Sequence, residues 1–166
     1  VEYATLKFVE FFKNFNIGDF DYIFFCDDDT FINIKNLENK IVDIGDFDCY
    51  GRIGEVHNNT QIKNNGVNYF PIIYPSGGAG FLITKKVFIK LKQYILNDNF
   101  PIFINTDVSF GSWFKDIDVK VTEGCDLLKA QNPDHPENNN VNKFITYHYC
   151  NDIHFKNLYD IIKNEI

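Results

Sequence analysis

The chain has 166 residues, of which 45% are hydrophobic, and its formal net charge is −7. That length supports one domain with a real core, and that composition sets aside a largely disordered chain. The acidic balance argues against a binder of the nucleic-acid backbone, which needs a basic stripe to displace counterions.

Residues 2–14 place Tyr3, Leu6, Phe8, Val9 and Phe12 at helical spacing, so a first amphipathic helix is expected there. The chain contains no methionine and opens inside this helix, which suggests an excerpt of a longer protein. Asn16-Ile17-Gly18-Asp19 closes the helix, and Asp21 to Cys26 reads as a fully buried strand.

Asp27-Asp28-Asp29 follows that strand directly. Carboxylates this close repel one another unless a cation or hydrogen-bond donors compensate them. Three readings fit. One is a strand-terminating turn, since Asp favours turns. Another is a phosphatase-type Asp-x-Asp-x-Thr motif with an aspartyl nucleophile, but Thr30 comes one position too early. The reading we favour is a metal-diphosphate site, in which carboxylates hold Mn²⁺ or Mg²⁺ and the cation neutralises a phosphate leaving group. Alternate residues of an extended segment face the same way, so Asp27 and Asp29 are the ligands and Asp28 turns aside.

A second helix is expected over Ile34–Ile44, then a short strand over 48–53, a polar loop over 55–66 and an extended segment over 67–74. Within that loop, Asn58-Asn59-Thr60 fits the N-glycosylation acceptor, which has meaning only in the secretory pathway. Ser76-Gly77-Gly78-Ala79-Gly80 is a tight turn whose small residues allow close backbone approach to a ligand and room for a sugar ring. It is neither a P-loop nor a dinucleotide-binding fingerprint.

Thr84 is placed to cap a third helix running to about Leu96, and a fourth is expected from about Thr106 to Lys115. Asp107 lies in the first turn of that helix, where a carboxylate either complements the dipole or serves as a general base. Trp113 reads as core or cleft wall. A strand is expected over 119–121, a polar loop over 128–142, a strand over 144–149 and a last helix to the chain end. His57, His135 and His154 read as solvated. His148 follows an apolar strand and is either a core histidine or a third metal ligand. Cys26, Cys49, Cys125 and Cys150 lack CxxC spacing, so zinc and redox motifs are not indicated, and any disulfides cannot be assigned. The order of elements is that of an α/β protein with a single domain over 1–166.

Phe24 to Phe31 with the acidic run, Tyr50-Gly51-Arg52, Ser76 to Phe81, Asp107-Val108-Ser109-Phe110-Gly111 and Tyr147-His148 together resemble the Fringe and core 1 β1,3-galactosyltransferase group. The resemblance covers nearly the whole chain. It implies a GT-A-like mixed sheet flanked by helices, with the β-α-β unit that cradles uridine expected ahead of residue 1. It implies a Mn²⁺ or Mg²⁺ site made by Asp27, Asp29 and His148, and Asp107 as the base. Donor contacts are implied for Asp28, Arg52 and the Gly77, Gly78, Ala79 and Gly80 turn. The implied reaction is inverting transfer of a hexose or N-acetylhexosamine from a UDP-sugar to a glycan or glycoprotein hydroxyl, forming a β1,3 linkage. The implied compartment is the Golgi or another secretory lumen, compatible with a type II membrane protein anchored outside this chain. The group usually has an acidic residue before the catalytic aspartate, and here that position is Thr106. The rival expectation is a non-catalytic metal- or carbohydrate-binding relative without the nucleotide half.

Overall fold

A computed structural model describes residues 2–135 and 143–163. Among the described residues it is a mixed α/β protein with five helices and several small sheets. The helices are α1 (Glu2–Asn14), α2 (Ile34–Ile44), α3 (Lys85–Leu96), α4 (Thr106–Asp116) and α5 (Asp152–Lys163). None is long and apolar enough to cross a membrane.

The main sheet has the order β1 (Tyr22–Phe25), β7 (Phe81–Thr84), β3 (Cys49–Gly51), β9 (Val121–Glu123). β7 runs antiparallel to both neighbours, while β3 and β9 are parallel, so the sheet is mixed. Side chains alternate faces along a strand, and the core divides accordingly. Phe25, Phe81, Ile83 and Cys49 pack with α1, α3 and α4 on one side. Phe24, Leu82 and Tyr50 face α2, Leu128 and Ile145 on the other. Covering both faces buries the apolar run of β7, whereas β1 is less buried than expected, with Tyr22 exposed and Ile23 and Phe24 half-buried, because it lies at the sheet edge.

The helix starts are local in origin. The Asn33 side chain accepts from the Asn36 amide at the start of α2, Thr84 accepts from Val87 at α3, and Asn105 accepts from Asp107 at α4. Trp113 is fully buried in the core and donates to the Pro101 carbonyl.

Several expectations are corrected. The stretch 55–66 is not a plain loop, because β4 (Ile53–Val56) and β5 (Gln61–Lys63) reach into it. Their partners, β6 (Ile72–Pro75) and β8 (Ile102–Phe103), supply the ladders from elsewhere in the chain. The extended segment over 67–74 shortens to β6, since Asn65 and Asn68 side chains accept from backbone amides two residues on and make turns. The strand expected over 119–121 lies at 121–123, and the one over 144–149 shrinks to β11 (Thr146–Tyr147). β11 joins β10 (Leu128–Lys129) and β2 (Phe31–Ile32) in a small sheet of two-residue strands. The remaining loop residues 136–142 lie outside the described residues, as do 164–166 of the last helix. All four cysteines are free.

Candidate metal and acid-base site

Two sheets bring the candidate residues together. In the main sheet Phe25 pairs with Phe81, which sets the chain leaving β1 beside the glycine turn entering β7. In the small sheet Tyr147 pairs with Phe31, which sets His148 beside the aspartate run. The Cys150 amide donates to the Asp29 carbonyl at 2.9 Å and closes the same junction.

His148 Nε2 lies 3.4 Å from Asp27 Oδ2 and 3.1 Å from Asp29 Oδ1. The three ligand atoms all lie within 4.8 Å of one another. Two adjacent ligands about 2.1 Å from one hard cation are about 3 Å apart, so the histidine distances already suit a shared ion. Asp29 Oδ1 is shielded from solvent and forms no hydrogen bond, although His148 is near. An ionised oxygen in that state is costly without a cation. Two carboxylates and an imidazole suit Mn²⁺ or Mg²⁺ better than a soft metal, so the residues present fit the ion. Asp28 is exposed and outside the group.

The glycine turn seats the site's own side chains. A Cβ on Gly78 would stand 2.1 Å from His148 Cε1, and one on Gly77 would stand 2.6 Å from Asp107 Oδ1. The room expected there for a sugar ring is thus taken by the imidazole and the carboxylate. Ala79 is fully buried, and Gly80 adopts φ +81°. Two hydroxyls clamp the turn from behind: Thr30 Oγ1 donates to the Gly78 carbonyl at 2.9 Å and Thr146 Oγ1 to the Ala79 carbonyl at 2.5 Å. Arg52 contributes its carbonyl, which accepts from the Ser76 amide at 2.8 Å. Its guanidinium makes no hydrogen bond or ion pair among the described residues.

Asp107 stands at the first turn of α4. Burial pushes its pKa up to about 6; the Gly77 amide bonding the carboxylate opposes this, and the nearby Asp27 charge adds to it. The burial has a visible source, a cavity of about 70 Å³ that Asp107 shares with Asp27 and with Phe8, Phe25, Phe81 and Phe110. Phe110, one turn along α4, packs edge-on against Phe8 and Phe81 and anchors the helix. Thr5 of α1 is fully buried and hydrogen-bonded through its hydroxyl to that of Thr106 at 3.0 Å, beside Asp107. Asp27 therefore borders both the metal group and the carboxylate.

The sequence matches no family model and no curated protein. Function must be argued from the site itself.

Three contributors were not assigned a role from the sequence. Thr30 entered only as the displaced threonine of a phosphatase motif, and Thr146 gave no signal, because a buried threonine looks like any strand residue. Tyr149 is 62% exposed, has φ 56° and stacks on His148 with ring centroids 3.7 Å apart. A left-handed tyrosine is rare, and nothing in the sequence marks it. His154 is a correction: it is buried, not solvated. Its backbone amide donates to Asn151 Oδ1, its Nδ1 accepts from the Asn151 amide, and its Nε2 lies 2.8 Å from Asp134 Oδ2.

Proposed function

We propose that this chain is the metal- and acceptor-binding portion of a GT-A-like glycosyltransferase domain resembling the Fringe and core 1 β1,3-galactosyltransferase group. The reaction is inverting transfer of a hexose or N-acetylhexosamine from a UDP-sugar to a hydroxyl of a glycan or glycoprotein, with a β1,3 linkage. The observation that carries this reading is that a cation-ready triad and a desolvated carboxylate share one junction through Asp27.

A bound Mn²⁺ or Mg²⁺ supplies charge neutralisation for the diphosphate of the leaving nucleotide. The protein's part is positioning. Asp27, Asp29 and His148 hold the cation, with His148 oriented by Gly78 behind it and Tyr149 over it. Asp107 takes the proton of the acceptor hydroxyl as its oxygen attacks the anomeric carbon. The bond from that carbon to the phosphate oxygen breaks on the opposite face, and UDP departs with the electron pair. A base with a pKa near 6 is ionised at neutral pH yet basic enough to accept that proton, the balance general-base catalysis requires.

Calorimetric titration of the chain with Mn²⁺ and UDP is expected to show UDP binding only with metal present, lost in Asp29→Ala. No binding at millimolar UDP would favour either a non-catalytic metal- or carbohydrate-binding module or uridine contacts made outside these residues. Turnover of UDP-sugars by the full-length parent protein is expected to fall roughly 10²- to 10⁴-fold with Asp107→Asn, and undiminished turnover would remove Asp107 as the base.

A further inference from the structure

Tyr149 follows His148 in the chain and has a backbone that core packing does not account for. Its φ is 56°, in the left-handed region that bulky side chains avoid. Its residue surface is 62% exposed, it belongs to none of the four hydrophobic clusters and, among the described residues, the one ring it meets is that of His148. Strain of this kind persists only where the surrounding structure enforces it, and it gathers at functional sites.

The flanking residues enforce it here. The His148 amide donates to the Lys129 carbonyl at 3.0 Å and the Cys150 amide to the Asp29 carbonyl at 2.9 Å, so the backbone is fastened on both sides of Tyr149. Along an extended strand successive side chains point to opposite faces. The left-handed turn cancels that alternation and brings the Tyr149 ring back over the imidazole, with centroids 3.7 Å apart and planes inclined by 24°. Gly78 bounds the same imidazole, since a Cβ there would stand 2.3 Å from Nδ1 and 2.7 Å from Nε2. The imidazole is thus held with Nε2 3.4 Å from Asp27 Oδ2 and 3.1 Å from Asp29 Oδ1.

We propose that Tyr149 is a positioning residue: its strained backbone serves to stack its ring on His148, so that the chain gives up some metal-free stability to present a preoriented imidazole to a divalent cation. A ligand already held in its binding orientation loses less freedom when the ion arrives. The inference rests on the metal group of Asp27, Asp29 and His148, and it makes the affinity of that group depend on a ring outside the ligand set.

The test is Mn²⁺ binding to the 166-residue chain, read from the electron paramagnetic resonance signal of the free ion, beside urea unfolding of the same proteins with a chelator. Tyr149→Phe keeps the ring and is expected to keep the affinity. Tyr149→Ala and Tyr149→Gly lose the ring and are expected to bind Mn²⁺ roughly 10- to 100-fold more weakly. In urea the two part company: glycine adopts a left-handed φ without strain and alanine does not, so Tyr149→Gly should resist unfolding better than Tyr149→Ala. Proton NMR gives a reading that needs no metal, because a stacked ring shields the His148 ring protons; their upfield shift should survive in Tyr149→Phe and vanish in Tyr149→Ala. Affinity unchanged in Tyr149→Ala, or lost equally in Tyr149→Phe, overturns the proposal. Affinity that recovers in Tyr149→Gly also overturns it, by tracing the effect to stability. No Mn²⁺ binding by the unsubstituted chain defeats the metal group and the role of Tyr149 with it, whereas Mn²⁺ binding indifferent to the Tyr149 substitutions defeats the role of Tyr149 alone.

Discussion

Asp107 shows how a single residue acquires chemistry from its surroundings. A free aspartate titrates near 3.8, and aromatic burial lifts this one to about 6. The direction fixes how stability depends on pH. A carboxyl whose folded pKa is raised binds its proton more tightly folded than unfolded. Its stabilising contribution is therefore complete below about 3.8 and is lost as pH rises through about 6. Above that range the fold carries an ionised, desolvated carboxylate. Asp107→Asn is thus expected to be more stable than the parent at pH 7.5 by on the order of 2 kcal/mol, and nearly equal at pH 4. Urea unfolding at both pH values, with metal removed by chelation, checks this, and a gain independent of pH would contradict it. The same residue is expected to make turnover rise with pH through about 6.

Helix starts and two-residue strands decide where the site residues stand. α5 begins with a reciprocal pair, Asn151 and His154, each side chain bonded to the other's backbone amide. This is the logic of a capping box with histidine in the place usually held by Glu or Gln. Asn151→Ala and His154→Ala are each expected to cost about 1 kcal/mol. Because the two bonds form one unit, the double variant should cost less than the sum, with a coupling of about 0.5–1 kcal/mol in a thermodynamic cycle. Full additivity would mean that the bonds act independently. α4 illustrates the opposite kind of support. Asn105 caps its start, while Ser109 accepts from the Phe103 amide at 2.9 Å and Phe110 sits among aromatic rings, so its orientation comes from packing.

At the scale of the whole molecule, the candidate metal group sits where the main sheet and the small sheet meet. Asp27 and Asp29 lie on the link between β1 of the main sheet and β2 of the small one, and His148 follows β11 of the small sheet. A cation bound by all three would tie the sheets together and stabilise the fold by linkage. At a free Mn²⁺ concentration one hundred times its dissociation constant the gain is about 2.7 kcal/mol, or a rise of roughly 5–10 °C in Tm for a chain of this size. Thermal unfolding with Mn²⁺ and with a chelator is expected to show that difference. Asp29→Ala should abolish it, and Gly78→Ala should reduce it by displacing the imidazole. An equal shift in all three proteins would mean that the ion binds elsewhere.

Much of this was legible along the chain because its signals are local. Helical periodicity and caps located α2 and α3, and the apolar run before Asp27 located β1, since these depend on neighbours a few residues away. The repulsion within Asp27-Asp28-Asp29 likewise raised the expectation of a cation from residue type and spacing. What escaped was whatever depends on a partner distant in sequence. β2, β5, β8 and β10 are too short to show a period and exist only through their ladders. The burial of His154 and the raised pKa of Asp107 come from side chains brought in by other elements. Sequence alone determined which residues carry charge and which segments coil into helices. Tertiary structure decided which charges meet and which are desolvated, because each depends on distance through space and on excluded water.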